Sequence, residues 1–398
     1  MLNGYPSHLH KDARVTDVPS GWHLRRLKDA CVLRNKLRKP ISKEVRRHME
    51  GSYPYYGPTS MVDSINEYQL DGRYALLGED GDHFLKYNKM SMSQLIEGKC
   101  NVNNHAHILE GKHDCMTEWI FLFFRHRNIY HFLSRQGAGR YKLNKASLMN
   151  LPILVPPIDE QERIWKIVSS WENAVELTGK LELARHNQKR ALVQRLFDPI
   201  DSDWKTHKLG NLFSERKEQD RTDLPLLSIT REKGVVRRDS LARKDKSTKD
   251  KSKYKRIAVG DIGYNTMRMW QGVSALSPLE GIVSPAYTVC IPNKEIDGRF
   301  AAHLFKLPRI VHRFYRYSQG LVSDTWNLKY RHFSQVEVAL PKRDIQVRIA
   351  SALDNVDKMA SLEERKREAL ENQKRGLISQ MVSGRTRVDQ AESELSNA

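Results

Sequence analysis

The chain has 398 residues, 39% of them hydrophobic and 29% charged, with a formal net charge of +19. That length suits two or three domains, and the apolar fraction allows real cores, which excludes a globally disordered chain. A surplus of this size exceeds what solubility needs and points to a polyanion, nucleic acid before an anionic membrane. The four cysteines, Cys31, Cys100, Cys115 and Cys290, form no CxxC pair and suit a reducing cytoplasm.

The opening stretch "MLNGYPSHLHKDARVTD" has no apolar core, so no signal peptide is expected. Residues 1–154 read as a β-rich domain. "YPYYGPTSMVD", "YALLGEDGDHF" and "NVNNHAHILEG" alternate strand and turn signals. "TEWIFLFFRHRNIYHFL" (Thr117–Leu133) reads as one amphipathic helix, and its apolar run Trp119–Phe124 is too short to span a bilayer. Tyr53, Tyr55 and Tyr56 either pack or line a groove, with packing favoured.

Residues 155–200 read as a long helix. "LVPPIDEQERI" ends a strand in prolines, and Asp159 is a reasonable N-terminal residue. Ile164, Val168, Trp171 and Val175, then Leu181, Ala184, Gln188 and Leu192, give an apolar stripe interrupted by polar positions. Residues 201–341 read as a second β-rich domain. "ITREKGVV", "IAVGDIGYN", "GVSALS" and "GIVSPAYTVCIP" are its strands, and "RFAAHLFKLPRIVHRFYRYS" (Arg299–Ser318) is its helix. Residues 342–384 repeat the long helix, with Ile349, Leu353, Val356 and Ala360, then Ala369, Gln373, Leu377 and Met381, as its stripe. Residues 385–398 lack periodicity and read as a disordered tail.

The repeat is internal and strict. "NQKR" stands at 187 and again at 372, 185 positions apart. At that offset Leu151–Leu196 aligns with Val336–Met381 without a gap, and twelve of 46 positions are identical. Four consecutive identities exceed chance, so the chain is two tandem units, each a globular part followed by a long helix. "GWHLRRL" (Gly21–Leu27) resembles "DWKTHKL" (Asp203–Leu209) at the start of each unit. Some 36 helical residues at about 1.5 Å each make a rod of roughly 55 Å. Antiparallel pairing of the two rods gives a pseudo-two-fold arrangement, the symmetry that duplex DNA offers to dimeric readers.

"LPILVPPIDEQERI" with a basic helix end "NQKRALVQRLF" resembles the specificity subunits of type I restriction–modification systems. "YNTMRMWQG" (Tyr264–Gly272), "GIVSPAYTV" (Gly281–Val289) and "YYGPTSMVDSINEYQLDGRYALLGEDG" (Tyr55–Gly81) resemble target-recognition segments of that family. The second copy, "VALPKRDIQVRI", lacks the EQ pair. The resemblance runs from about Pro19 to Gly384. It implies an α+β protein with two target-recognition domains separated by two long helices in an antiparallel coiled coil. Each domain would read one half of a bipartite, asymmetric duplex DNA target. Two adenine methyltransferase subunits would dock on the helices, with Gln161, Ile164, Asn187, Gln188, Gln346, Ile349, Asn372 and Gln373 as candidate contacts. Restriction subunits would join them. S-adenosylmethionine would then sit on the methyltransferase, ATP and Mg on the restriction partner, and neither a cofactor nor a catalytic residue on this chain.

The DNA-contact candidates follow from residue type. The run Arg237–Arg256 holds ten Lys/Arg against three Asp, and offers phosphate contacts through Arg237, Arg238, Lys251, Lys253 and Lys255, or is a solvated loop. Arg268 and Gln271 are types that read guanine and adenine edges, and Asn265 and Trp270 flank them, although a tryptophan at a strand end is as often core. "SRQGAGRYKLN" and "SQGLVSDTWN" hold equivalent places before the two helices, and nominate Arg135, Gln136, Arg140, Lys142 and Gln319. Asn104 joins them. Cys100, His105, His107, His113 and Cys115 are zinc-ligand types at a spacing that matches no usual site. Asp82 with "EGK" (Glu97–Lys99) superficially resembles a nuclease motif, but the triplet recurs at Glu110–Lys112. No P-loop or dinucleotide motif is present. A stand-alone metal-dependent endonuclease and an RNA-binding scaffold are the alternatives.

Overall fold

The computed structural model describes residues 17–136, 140–197, 204–241, 250–321 and 325–388. It divides into two compact units, residues 1–179 with 365–398, and residues 180–364. The division falls inside the two long helices, Ile158–Phe197 and Arg343–Val382, so each unit owns part of both.

Unit 1 is built on a six-stranded sheet. Its order is Cys31–Leu33, Ala106–Gly111, Leu70–Gly78, Ser93–Val102, Glu50–Tyr56 and Met61–Ile65. Glu50–Tyr56 and Ser93–Val102 pair in parallel, and the other pairs are antiparallel. Against this sheet packs Thr117–Phe124, a helix buried along its whole length from Glu118 onward. The expected amphipathic helix to residue 133 is therefore two pieces. The first ends at Phe124 with no solvent face, and Tyr130–Phe132 is a separate short turn of 3₁₀ helix. Trp22, Trp119 and Phe123 meet ring to ring in the core, and Ile164, Ile378 and Met381 of the long helices join the same cluster. Tyr55 is buried, and Tyr53 packs on Tyr68, so these rings support the sheet.

Unit 2 carries a four-stranded sheet in the order Phe213–Glu215, Tyr287–Pro292, Ile262–Asn265, Ser274–Leu276. Its expected single helix over 299–318 is two helices, Gly298–Leu304 and Pro308–Tyr317. Pro308 forces Leu307 into an extended conformation, which breaks the run. Asp297 caps the first of these, accepting from the backbone N–H of Arg299 and Phe300.

Both units close in the same way. His23–Arg26 pairs with Pro152–Val155 in unit 1, and Lys205–Lys208 pairs with Glu337–Leu340 in unit 2. A proline precedes each long helix, at Pro156 and at Pro341. Gln161 and Gln346 follow, 1% exposed each, and make the same three bonds. The Gln161 side chain accepts from Met116 N and donates to the carbonyls of Asp114 and Pro156. Gln346 accepts from Asp297 N and donates to Glu295 and Pro341. The two glutamines tie helix to globular part, and with the buried Ile164 and Ile349 they are internal, not docking contacts.

In unit 1 the two helices run antiparallel. Glu172 meets Lys374 at 3.9 Å, and Gly179 lies against the Arg367 side chain. In unit 2 Lys189 pairs with Asp357 at 2.5 Å. The seam keeps its alternation of three and four through Val175, Thr178, Glu182, Arg185, Lys189 and Leu192. Leu181, Ala184 and Gln188, expected in the stripe, are exposed, as are Ala369 and Gln373. The expected stripes jumped from Val175 to Leu181 and from Ala360 to Ala369, which left the seam register. Polar side chains occupy the middle of the seam instead: Thr178 donates to Ala174 O, Arg185 donates to Gln188, and Lys189 pairs with Asp357. Arg385–Val388, expected to be disordered, are ordered: Val388 is buried and Arg387 pairs with Glu160 at 3.2 Å. The rest of that tail lies outside the described residues.

Candidate nucleic-acid interface

In unit 2 two loops meet. The first leaves the strand at Asn265 and turns through Met269–Gln271 to Gly272. Asn265 organises this turn, its carboxamide oxygen accepting from Met267 N. Gly272 takes φ 77°, the left-handed conformation that closes the turn, and its carbonyl accepts from Lys306 Nζ at 2.7 Å. The second loop, after Tyr317, is pinned by Leu328 N donating to Thr266 O at 2.9 Å, and by a bridge between Gln319 and Asn327. Trp326 then stands edge-on to Trp270 at 5.1 Å and to Tyr315 at 4.8 Å.

Arg268, Trp270, Gln271 and Gln319, nominated from two separate stretches, thus fall on one surface. Arg268 is exposed, and its guanidinium has no hydrogen bond or ion pair among the described residues. Trp270 is half-buried and answers both sequence readings, a ring in a packed cluster at the edge of a polar surface. Met267, Tyr315, Trp326 and Asn327 belong to the same surface and were not singled out.

The unit 1 counterpart is a hairpin, Ser134–Gln136 with Arg140–Lys142, set against the loop after Gly78. Leu143 N donates to Glu79 O at 2.7 Å, and Gly81 N donates to Tyr141 O at 3.1 Å. Arg135 is exposed, and its guanidinium has no hydrogen bond or ion pair among the described residues. The side chains of Gln136 and Arg140 lie outside the described residues. Lys142 is a correction. Its Nζ sits 3.3 Å from Glu79, which also takes Arg38 at 2.5 Å. Burial alone would raise the Glu79 carboxyl, and Arg38 and Lys142 outweigh it and hold it below its ordinary value. Lys142 is thus a support for the hairpin, not a spare cation. Asn104 is exposed beside it, its carbonyl taking Arg38.

The basic run divides. Residues 242–249 lie outside the described residues. Lys255 turns inward, donating to Tyr287 O at 3.0 Å with its side chain 18% exposed, so it does not serve as a phosphate contact. Arg237 pairs with Asp239 at 3.0 Å. Arg238 and Lys251 are half-buried, and Lys253 is exposed.

The metal and nuclease readings fail on position. Among the described residues no group of three His, Cys, Asp or Glu could hold a metal ion. His105 pairs with Asp80, while His107 is buried, donating from Nε2 to Leu143 O and accepting at Nδ1 from Asn35. Desolvation holds His107 below its ordinary pKa, in keeping with that neutral arrangement. Cys115 is buried, and desolvation pushes its thiol up to about 12. Asp82 pairs with Lys86, and Glu97 with Arg73, far along the strand pair from the loop that holds Asp82.

No helix among the described residues is long and apolar enough to cross a membrane. The family model described as "Type I restriction modification DNA specificity domain" matches residues 19–184 and 201–372. A type I restriction enzyme specificity subunit of Methanocaldococcus jannaschii is 21% identical over 98% of each chain. A protein of Haemophilus influenzae described as such a subunit is 32% identical, over 36% of this chain and 36% of its own. The crystal structure of the S subunit from M. genitalium shares the fold, with a TM-score of 0.62, 12% identity, and coverage of 92% of this chain and 96% of that one. Two matched domains on a repeated scaffold, each ending in a long helix, lead to one conclusion: the chain belongs to the type I restriction–modification specificity subunits, with two recognition domains.

Proposed function

We propose that each unit reads one half of a bipartite, asymmetric duplex DNA sequence. One observation carries this reading. The two units hold a pinned loop pair at the same place, yet present different side chains there: Arg135 with Asn104 in unit 1, and Arg268, Gln271 and Gln319 in unit 2. A shared scaffold with different surfaces is what two readers of different half-sites require. Charge supports it, since +19 on the chain supplies the sequence-independent phosphate attraction.

The exposed Asn187, Gln188, Asn372 and Gln373 dock two adenine methyltransferase subunits, and ATP-dependent restriction subunits complete the assembly. In this reading the long helices set the gap between half-sites. The chain works in the cytoplasm without catalytic groups of its own. S-adenosylmethionine belongs to the methyltransferase partner, and ATP and Mg to the restriction partner.

The test compares two variants in complex with the methyltransferase, on duplexes carrying single base-pair changes. Arg268→Ala loses about 1–3 kcal/mol on the cognate duplex and relaxes one position of one half-site. Lys253→Ala weakens all sequences alike and lowers the salt slope by about 1. Equal losses on every duplex for Arg268→Ala would remove it from base readout.

A further inference from the structure

The 185-position offset does not stop at Leu151. Carried upstream without a gap, it places Tyr130 on Tyr315, Tyr141 on Trp326, and Leu143 on Leu328. The structure repeats the contacts as well as the positions. Tyr130 and Tyr141 lie 5.4 Å apart, ring centre to ring centre, and Tyr315 and Trp326 lie 4.8 Å apart. Ser134 pairs with Lys142 in one unit, and Gln319 with Asn327 at the same offset in the other. Leu143 and Leu328 each donate a backbone bond to the loop beside them.

The stem these rings brace is short. Among the described residues it has three residue pairs in unit 1 and a single bridge in unit 2. A two-stranded stem of that length cannot hold a fixed pose in water unaided. A ring pair adds about 0.5–1.5 kcal/mol beyond its burial, enough to bias a marginal stem. Tyr130 is 43% exposed and Tyr315 41%, so neither is a core ring whose loss would empty the interior. Arg135 stands directly across the stem from Tyr141, and Gln319 stands across from Asn327, next to Trp326. In unit 2 the brace goes further. Trp326 also meets Trp270, which ties the stem to the loop of Arg268 and Gln271.

We propose that the ring pairs Tyr130–Tyr141 and Tyr315–Trp326 are positioning residues for half-site specificity, each fixing the pose of the stem that carries Arg135 or Gln319. The proposal rests on the half-site reading given above. The repeat itself supplies the conservative exchanges, because each unit uses at one position the ring that the other unit replaces: Tyr141→Trp and Trp326→Tyr.

The experiment measures discrimination by the chain in complex with the methyltransferase, on duplexes altered in one half-site or the other. Tyr141→Ala loses about tenfold of its discrimination at the unit 1 half-site and keeps it at the other. Trp326→Ala does the reverse, and Tyr141→Trp and Trp326→Tyr retain both. Thermal unfolding separates a lost fold from a lost pose. If either alanine variant does not fold, Tyr130→Ala or Tyr315→Ala tests the same pair from its exposed ring. Full discrimination at both half-sites in folded alanine variants overturns the proposal, as does an equal loss at both. If the half-site reading itself is wrong, the unsubstituted chain shows no division of its specificity between the two halves.

Discussion

Phe333→Ala is expected to destabilise unit 2 by about 3–5 kcal/mol, the range for emptying a buried aromatic site. Phe333 has no exposed surface and is the hub of an aromatic cluster. Its ring lies 5.1 Å from Tyr264, 5.8 Å from Phe305, 5.9 Å from Phe213, and 6.1 Å from both Phe314 and Tyr330. These rings cannot all collapse into the space one ring leaves, because Phe213 and Tyr264 are fixed by strands and Phe314 by a helix of its own. At about 2–4 °C per kcal/mol for a unit of this size, its melting temperature falls by roughly 6–20 °C. Hydrogen exchange, read separately for the two units, checks that the loss is confined to residues 180–364. A loss below about 1 kcal/mol would mean that the cluster repacks.

Gln161→Ala is the second large effect, expected to destabilise unit 1 by about 3 kcal/mol. It leaves the Met116 N–H and the carbonyls of Asp114 and Pro156 without their partner, each at the cost of a buried unpaired group. Gln161→Glu separates the parts. A carboxylate still accepts from Met116 but cannot donate to two carbonyls, so it rescues nothing and places charge at a buried site. Gln346→Ala carries the same loss into unit 2 through Asp297, Glu295 and Pro341. Denaturant unfolding of the three single variants measures it. A mild effect at either position would mean that water replaces the side chain.

These glutamines show how far the sequence reads. Their recurrence at one offset marked them as required, and the repeat and the two long helices were legible from spacing and identity. Identity between copies does not say whether the requirement is internal or external, and here it is internal. The middle of the seam was missed for a related reason. Arg185, Lys189 and Lys374 sit where a coiled coil usually places apolar side chains, and the carboxylates that hold some of them come from the other helix.

At the candidate interface, Arg268, Gln271 and Gln319 were nominated by residue type. Tyr315 and Trp326 were passed over because aromatic residues in a loop carry no signal alone. Their signal is the same offset, followed upstream of the helices. Lys142 and Lys255 were nominated by charge, and only the fold shows Glu79 and the Tyr287 carbonyl beside them.

The central claim, that two units on one chain read two halves of one target, is tested most directly by the genome-wide adenine methylation pattern of the host, with the gene intact, deleted and restored. The account predicts a split motif with a fixed gap that disappears on deletion and returns on restoration. Methylation that is unchanged by the deletion, or the loss of a motif with no gap, would contradict it.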